Sequence, residues 1–415
     1  MLHIVLESLL RSSAILLFES EIFSLRYLTI DSSALSLLFL NIVIGISVAF
    51  FTNYLILQLG QSDSEFAQSM RFGEWNWRWM LGLETLPAVL YFFALFAVPE
   101  SPRWQIMKGL EAPALKTLTT IGGEVQAKND IEVVKESLSK KKEKVSVKEL
   151  FVPTMKAVLT IGIVVAVLQQ ITGINSVFFY APMIFEQSGI GTDASFIQAI
   201  LVGLTNLVFT VAAIMMIDRF GRKPLLVFGV SGIVVCMLLL AYGFNEATYT
   251  LSEDKITEFP ENIQEGLSPL VGQTFDSDVE FKNAVKQAIG KTDALEYESS
   301  IITASISANP TLILFGILGF VASFAISIGP VMWVLFSELF PNRIRGLAIS
   351  FVGLINSGVS FLVQLVFPWE LATFGSSLTF FIYGMFAVLG LIFILLKVPE
   401  TKGKSLEELE KQLVR

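Results

Sequence analysis

The chain has 415 residues, of which 53% are hydrophobic and 16% charged, against about 25% charged in an ordinary soluble domain, so water is not its only solvent. Its one cysteine, Cys236, lies in an apolar run and excludes an intrachain disulfide, and His3 is its one histidine. With no His/Cys cluster, no Walker loop and no dinucleotide fingerprint, metal hydrolysis, ATP-driven pumping and hydride transfer lack their usual apparatus, and neither an enzyme nor a cofactor is expected.

A helix needs roughly 20 mostly apolar residues to cross about 30 Å of hydrocarbon. Residues 1–33 do not qualify, because Glu7, Arg11, Glu19, Glu21 and Arg26 interrupt every apolar stretch, and no cleavage site marks them as a secretory signal. They read either as an irregular, out-of-context terminus or as an amphipathic helix on the membrane surface. Eight stretches beyond them do qualify: about 35–59, 77–98, 157–180, 194–217, 225–244, 311–337, 346–368 and 376–396. The expected fold is therefore all-α, a polytopic membrane protein of eight transmembrane helices.

Charge between the spans orients them. Residues 99–156 hold eleven Lys and Arg, including Lys140, Lys141, Lys142 and Lys144; Arg219, Arg222 and Lys223 follow the fourth span, Arg343 and Arg345 the sixth, and Lys397, Lys402 and Lys404 the last. The positive-inside rule puts these connections and both termini in the cytoplasm. The stretch 245–310 has four Lys against twelve acids, a balance equal to the whole formal charge of −8. It is placed outside, and so local an acidity implies no nucleic-acid partner. Its segment Val279 to Ile289 is helix-like, and its role is unreadable.

Two spans end alike, in Val98-Pro99-Glu100-Ser101-Pro102 and in Val398-Pro399-Glu400-Thr401-Lys402. Matching ends suggest matching units. The second unit, 157–400, then has six spans and the first, 34–98, only two, so four spans are expected to be missing from the front. Between the units 99–156 is a polar cytoplasmic linker with short helices, and 401–415 is a cytoplasmic tail.

Polar residues inside spans are expensive unless they face a partner helix or a watery cavity. The third span holds Gln169-Gln170-Ile171-Thr172-Gly173-Ile174-Asn175. Amides offer donors and acceptors without burying charge, which suits an uncharged, hydroxyl-rich ligand; as readily, they glue helices together. On an ideal helix Gln170 and Asn175 stand about 140° apart, so they share a cavity only if the helix distorts, which Gly173 permits. Asn356, Ser360 and Gln364 form a polar stripe on the seventh span, with Asn356 the favoured contact. Trp333, beside Gly329-Pro330 and an expected helix break, either packs or offers a flat apolar face.

Gln169 to Asn175 with Phe178-Phe179-Tyr180-Ala181-Pro182 resembles the seventh-helix signature of the sugar porters of the major facilitator superfamily. Asp218-Arg219-Phe220-Gly221-Arg222-Lys223-Pro224 resembles their loop after helix eight. Gly329 to Trp333, with Ser337-Glu338-Leu339-Phe340-Pro341 and Arg343-Ile344-Arg345-Gly346, resembles helix ten and the loop behind it. Pro99 to Trp104 and Pro399 to Gly403 resemble the marks after helices six and twelve. The likeness spans about residues 35–410 and is strongest to bacterial xylose–proton symporter-like members.

That resemblance implies helices five to twelve of a partial facilitator fold, in an inner (plasma) membrane, moving a hexose or pentose by alternating access, with a co-transported proton. Sugar contacts fall on Gln169, Gln170, Asn175, Asn206, Trp333 and Asn356. Ion pairs that shut the inner gate fall on Glu100, Arg103, Asp218, Arg219, Arg222, Glu338 and Arg343. This chain departs from the pattern where relatives carry a helix-five glutamine, having Ile46 or Phe50, and where many carry a helix-seven tyrosine, having Phe179. The proton-carrying aspartate of helix one has no counterpart. The competing reading is a membrane protein that binds sugar without moving it, or a non-functional fragment; a membrane enzyme lacks any cluster of acid, base and nucleophile at span depth.

Overall fold

The computed structural model describes residues 32–96, 100–139, 146–189, 192–341, 343–404 and 408. The alternatives for 1–33 therefore fall almost wholly outside the described residues, as do Val98 and Pro99, the lysine run 140–144 and much of the tail 401–415. The chain divides into two compact units, one of residues up to Tyr54 together with those from Val147, the other Leu55–Ser146, with the boundary inside helix α1 (Ser32–Gly60).

In the unit Leu55–Ser146, Ile56, Ala67 and Phe72 make a small core with Leu59, Met70, Trp79 and Met80. Residues 72–95 run as two helices, α2 (Phe72–Leu83) and α3 (Thr85–Leu95), that abut at Glu84. Helix α4 (Glu111–Ser139) folds back on itself at Gly123, whose φ of 80° a side chain would resist. Its two halves bury Ala114 and Ile131 with Ile106 of the preceding short helix.

The larger unit is a helical bundle. Its helices are α5 (Lys156–Ile171), α6 (Ile174–Glu186), α7 (Thr192–Phe220), α8 (Arg222–Asn245), α11 (Pro310–Ala325), α12 (Ile328–Leu339) and α13 (Arg345–Lys397). Six helical runs among the described residues are long and apolar enough to cross a membrane: 41–60, 153–186, 194–220, 222–245, 310–339 and 345–397. Three of them are broken. The run 153–186 turns at Gly173 (φ 85°), 310–339 at Ser327 (φ −130°, ψ −104°), and the 53-residue α13 at Gly375 (φ 77°), so α13 is two helices in sequence.

Inside hydrocarbon, helices gain nothing from expelling water and associate by close packing of small residues. Gly229 and Gly232 of α8 lie so close to Ser327 and to Ser323 of α11 that an added Cβ would overlap them, and Gly390 of α13 is filled in the same way by Leu168 of α5.

Between α8 and α11 lies a folded domain rather than a loop. Its three-stranded sheet, order β2-β1-β3, is antiparallel: β1 (Thr248–Thr250) pairs with β2 (Thr274–Phe275) in the register Tyr249 to Phe275 and with β3 (Ile306–Ser307) in the register Tyr249 to Ile306. This sheet is an amendment to the all-α expectation, small because each strand has two or three residues. Helices α9 (Asp278–Ile289) and α10 (Glu298–Ser305) cover a core of Tyr249, Leu251, Phe259, Ile263, Leu267, Phe281, Val285, Ile301 and Ile302. Burial, and then the Asp278 carboxylate, push the Tyr249 phenol far above its ordinary range, so it stays neutral.

Overfilling the α8–α11 contact is expected to be costly. Gly229→Val should destabilise the unit by about 1–3 kcal/mol, read as a lowered thermal midpoint in detergent, and Ser327→Gly in the same chain should restore part of the loss. An unchanged midpoint would contradict the close approach.

Candidate functional site

The break between α5 and α6 is built from Thr172 and Gly173. The Gly173 N–H turns back to the carbonyl of Gln170 (3.0 Å), which deprives the Gln169 carbonyl of its helical donor, and the Thr172 hydroxyl supplies that missing bond at 2.9 Å. A Cβ at Gly173 would lie 2.5 Å from the ring of Tyr383 in α13, so glycine is required both by conformation and by space.

The break brings four of the amides expected from the sequence together. Asn175 Nδ2 donates to Gln170 Oε1 (2.8 Å), and Gln170 Nε2 donates to Asn356 Oδ1 (3.0 Å) and to Gln169 Oε1 (3.3 Å). Asn356 Nδ2 donates to Gln169 Oε1 (2.8 Å) and to the carbonyl of Ala166 (2.9 Å). Gln169 Nε2 reaches the carbonyls of Ile328 and Gly329 in the first turn of α12, at 3.3 and 3.2 Å. Ser360 joins by accepting from Asn175 Nδ2 (2.8 Å) and is in turn bonded by Gln364. Gln169, Gln170 and Asn356 are buried, Asn175 less so. The 140° between Gln170 and Asn175 on an ideal helix is thus removed by the turn at Gly173. Such a network meets every amide donor without an ion.

The other two expected contacts stand apart from these bonds. Trp333 of α12 is half-buried, edge-on to Phe336, with its ring 3.8 Å from where Gly353 of α13 would carry a Cβ. The break before it falls at Ser327 rather than at Gly329-Pro330; Pro330 sits in the first turn of α12, where a missing N–H costs nothing. Asn206 is buried in α7, one turn past Gly203. Gly203 lets α1 approach so closely that its absent Cβ is 3.0 Å from the Phe50 ring, and its carbonyl accepts from the Ser47 hydroxyl at 3.0 Å. Phe50 and the half-buried Ile46 give α1 an apolar surface there.

A second cluster occupies the end of the unit where α7 and α12 finish and α8 begins. The Arg222 guanidinium, 9% exposed, pairs with Glu338 at 2.7 Å and with Asp218 at 3.2 Å. Asp218 is 66% exposed and Glu338 25%, so Glu338 is the partner that matters. Glu338 also accepts from the Thr401 hydroxyl (2.6 Å). The Glu400 carboxylate accepts the N–H groups of Arg222, Lys223, Thr401 and Lys402 at 2.8 to 3.1 Å, capping the start of α8. Arg343 pairs with Glu149 at 3.0 Å. The Arg219 side chain is exposed, while its carbonyl accepts from Lys402 Nζ. Glu100 and Arg103 lie in the other unit, Glu100 exposed and Arg103 half-buried. Glu400 and Ser360 are among the participants that the sequence-based set of site residues left out, with Gln364, Thr401 and Glu149.

Residues 30–257 and 293–413 match the family described as sugar (and other) transporter. The chain belongs to this family. It is 31% identical to the arabinose-proton symporter of Bacillus subtilis over 386 residues, covering 93% of this chain and 69% of that protein. To the D-xylose-proton symporter of Escherichia coli it is 33% identical over 375 residues, covering 89% and 62%. Among solved structures it resembles the E. coli xylose transporter XylE in an inward-open conformation (TM-score 0.61, 30% identity, 90% of this chain and 64% of that one). The proton:xylose symporter XylE bound to 6-bromo-6-deoxy-D-glucose scores 0.59 at 31% identity, with coverage of 92% and 67%. The chain thus spans about two thirds of the length of these relatives, which are transporters and not enzymes, and it is a multi-pass membrane protein with a major facilitator-like helical fold.

Arg222 tests the second cluster. Glu338→Ala should leave a buried cation short of its main partner and destabilise the protein by about 1–3 kcal/mol, measured by chemical or thermal unfolding. Arg222→Met added to Glu338→Ala should recover much of that loss, because the buried charge is then gone. A double variant no better than the single one would mean that the pair is not what stabilises this end.

Proposed function

We propose that the protein carries a monosaccharide, hexose or pentose, across an inner membrane by alternating access, together with a proton. The convergence of Gln169, Gln170, Asn175 and Asn356 at the Gly173 break is the observation that carries this reading, since an uncharged amide cluster beside two helix breaks matches the chemistry of a sugar's hydroxyls. Trp333 supplies the flat apolar surface that a sugar ring requires, and Asn206 a further amide. The relatives named for arabinose–proton and xylose–proton symport point the same way.

Eight membrane helices fit the chain: α1, α2 with α3, α5 with α6, α7, α8, α11 with α12, and α13 on either side of Gly375. Both termini then lie in the cytoplasm, with 99–156 as a cytoplasmic linker and the Arg222–Glu338–Glu400 cluster at the inner end. There it serves as part of the inner gate with Arg343, Asp218 and Arg219, and Glu100 and Arg103 lie at the cytoplasmic end of their own unit. The domain between α8 and α11 is outside.

Two measurements check this. In a Cys236→Ala background, Glu280→Cys should react with an impermeant thiol reagent added to intact cells and Lys128→Cys should not; the reverse pattern would invert the topology. Gln170→Ala and Trp333→Ala should each weaken monosaccharide binding roughly tenfold, about 1.4 kcal/mol, in a tryptophan-fluorescence or calorimetric titration, with the thermal midpoint little changed. Lowered stability with unaltered binding would assign these side chains to packing instead, and binding without counterflow of labelled sugar in vesicles would make the protein a receptor.

A further inference from the structure

The domain between α8 and α11 holds two helices of the bundle at once. At one end Asp278 Oδ2 accepts the Ser376 backbone N–H at 3.1 Å, capping the second helix of α13, and a Cβ at Gly375 would overlap that carboxylate. The Ser376 hydroxyl bonds Gln187 Oε1 at 3.0 Å, so the capped turn is tied to the residue that ends α6. Behind Asp278 lies Lys282, 8% exposed, at 3.8 Å from Asp278 and 3.5 Å from Glu298. At the other end α10 grips α6 directly. The Ser299 hydroxyl donates to the Glu186 carboxylate at 2.8 Å, and Ile306 fills the space where Gly189 would carry a Cβ. Helix α6 begins at the break and carries Asn175 one residue past its start. Residues 258–292, which include Asp278 and Lys282, lie outside both stretches that match the family.

We infer that this domain is a positioning element for the amide site: Asp278, and Ser299 closing on Glu186, are its two latches, and through them it fixes α6, and so Asn175, against the second helix of α13. The inference rests on the sugar reading of the amide site only for its consequence on binding; the hold on α6 stands on the contacts themselves. A half-helix free at its outer end would pivot on Gly173. Pinned at Glu186 by Ser299 and at Gln187 through Ser376, it cannot pivot without breaking those contacts, so binding and release of ligand at Asn175 are coupled to the domain at the far end of α6.

The experiment is backbone hydrogen exchange, followed by mass spectrometry on the whole chain in detergent, for Asp278→Ala and, separately, Glu186→Ala. Asp278→Ala should speed exchange over 376–380 and over 183–189 at least tenfold, and Glu186→Ala over 174–189, while exchange within 222–245 stays as in the parent. Asp278→Asn, which keeps an oxygen for the Ser376 N–H, should fall between. Monosaccharide affinity should change severalfold in both alanine variants. Unchanged exchange in α6 in both variants would overturn the latch, and so would faster exchange throughout the bundle, which reports general destabilisation. Faster α6 exchange with the parent's affinity would overturn the positioning role. A parent that binds no sugar refutes the reading of the amide site, and the exchange data then still decide whether α6 is held.

Discussion

The helix breaks of the larger unit answer to one constraint, that a backbone carbonyl without water must find its partner within the protein. A break in a membrane helix violates this at once, because it strips a carbonyl of its donor. Both breaks beside the amide cluster solve the problem in the same way. At Gly173 the N–H retreats to the carbonyl three residues back and the Thr172 hydroxyl serves the abandoned Gln169 carbonyl. At Ser327 the N–H likewise turns to Phe324, and the residue's own hydroxyl serves the Ser323 carbonyl at 2.6 Å. A short hydroxyl side chain placed at the end of the helix therefore makes each break tolerable. Gln169, bonding the carbonyls of Ile328 and Gly329, stitches one broken helix to the other.

The same constraint shapes what a ligand would gain. The amides satisfy one another, so a polyol entering their network would exchange hydrogen bonds rather than add them, a change worth little net free energy. Affinity on that reading depends on the apolar face of Trp333 and on how rigidly the amides are held, since a donor already aimed loses less freedom on binding. The polar shell beyond the amides, Ser360 and Gln364, then acts by orienting Asn175 rather than by touching ligand.

Much of this was legible in the sequence because hydrophobic run length and amide placement are local properties. The stripe at Asn356, Ser360 and Gln364 follows from helical periodicity, and Gly173 between Gln170 and Asn175 marks the only way those two can meet. The Ser327 break was misplaced to Gly329-Pro330, since Gly and Pro are the strongest punctuation a sequence carries; yet Pro330 fits the first turn of a new helix, and a serine hydroxyl is what the preceding end needs. The domain between α8 and α11 was harder still. Its core residues Tyr249, Phe259 and Ile301 come from strands, bends and helices too short to show a period, scattered through an acid-rich segment, and only the segment around Val279 to Ile289, which holds Phe281, repeats long enough to read. Glu400 was visible as part of a motif, but four converging N–H groups exist only once α8 and the chain after α13 are brought together.

The two ends of the bundle are finished by one device. At Gly221 (φ 93°) and at Gly375 (φ 77°) a glycine in the left-handed region opens a helix, and in each case a carboxylate from a distant part of the chain occupies the space a Cβ would need. Glu400 caps α8 and Asp278 caps the second helix of α13, each placing negative charge where the helix dipole favours it. A local cap would stabilise one helix alone. A cap from 178 residues away at one end, or 98 at the other, makes the start of that helix conditional on a tertiary contact. Glu400 lies in the stretch 293–413 that matches the family and Asp278 in the part that does not, so one end is tied by a feature within the family match and the other by an element outside it. Both caps act on the starts of their helices, and the second helix of α13, once capped, carries the Tyr383 ring that packs on Gly173 at the amide break.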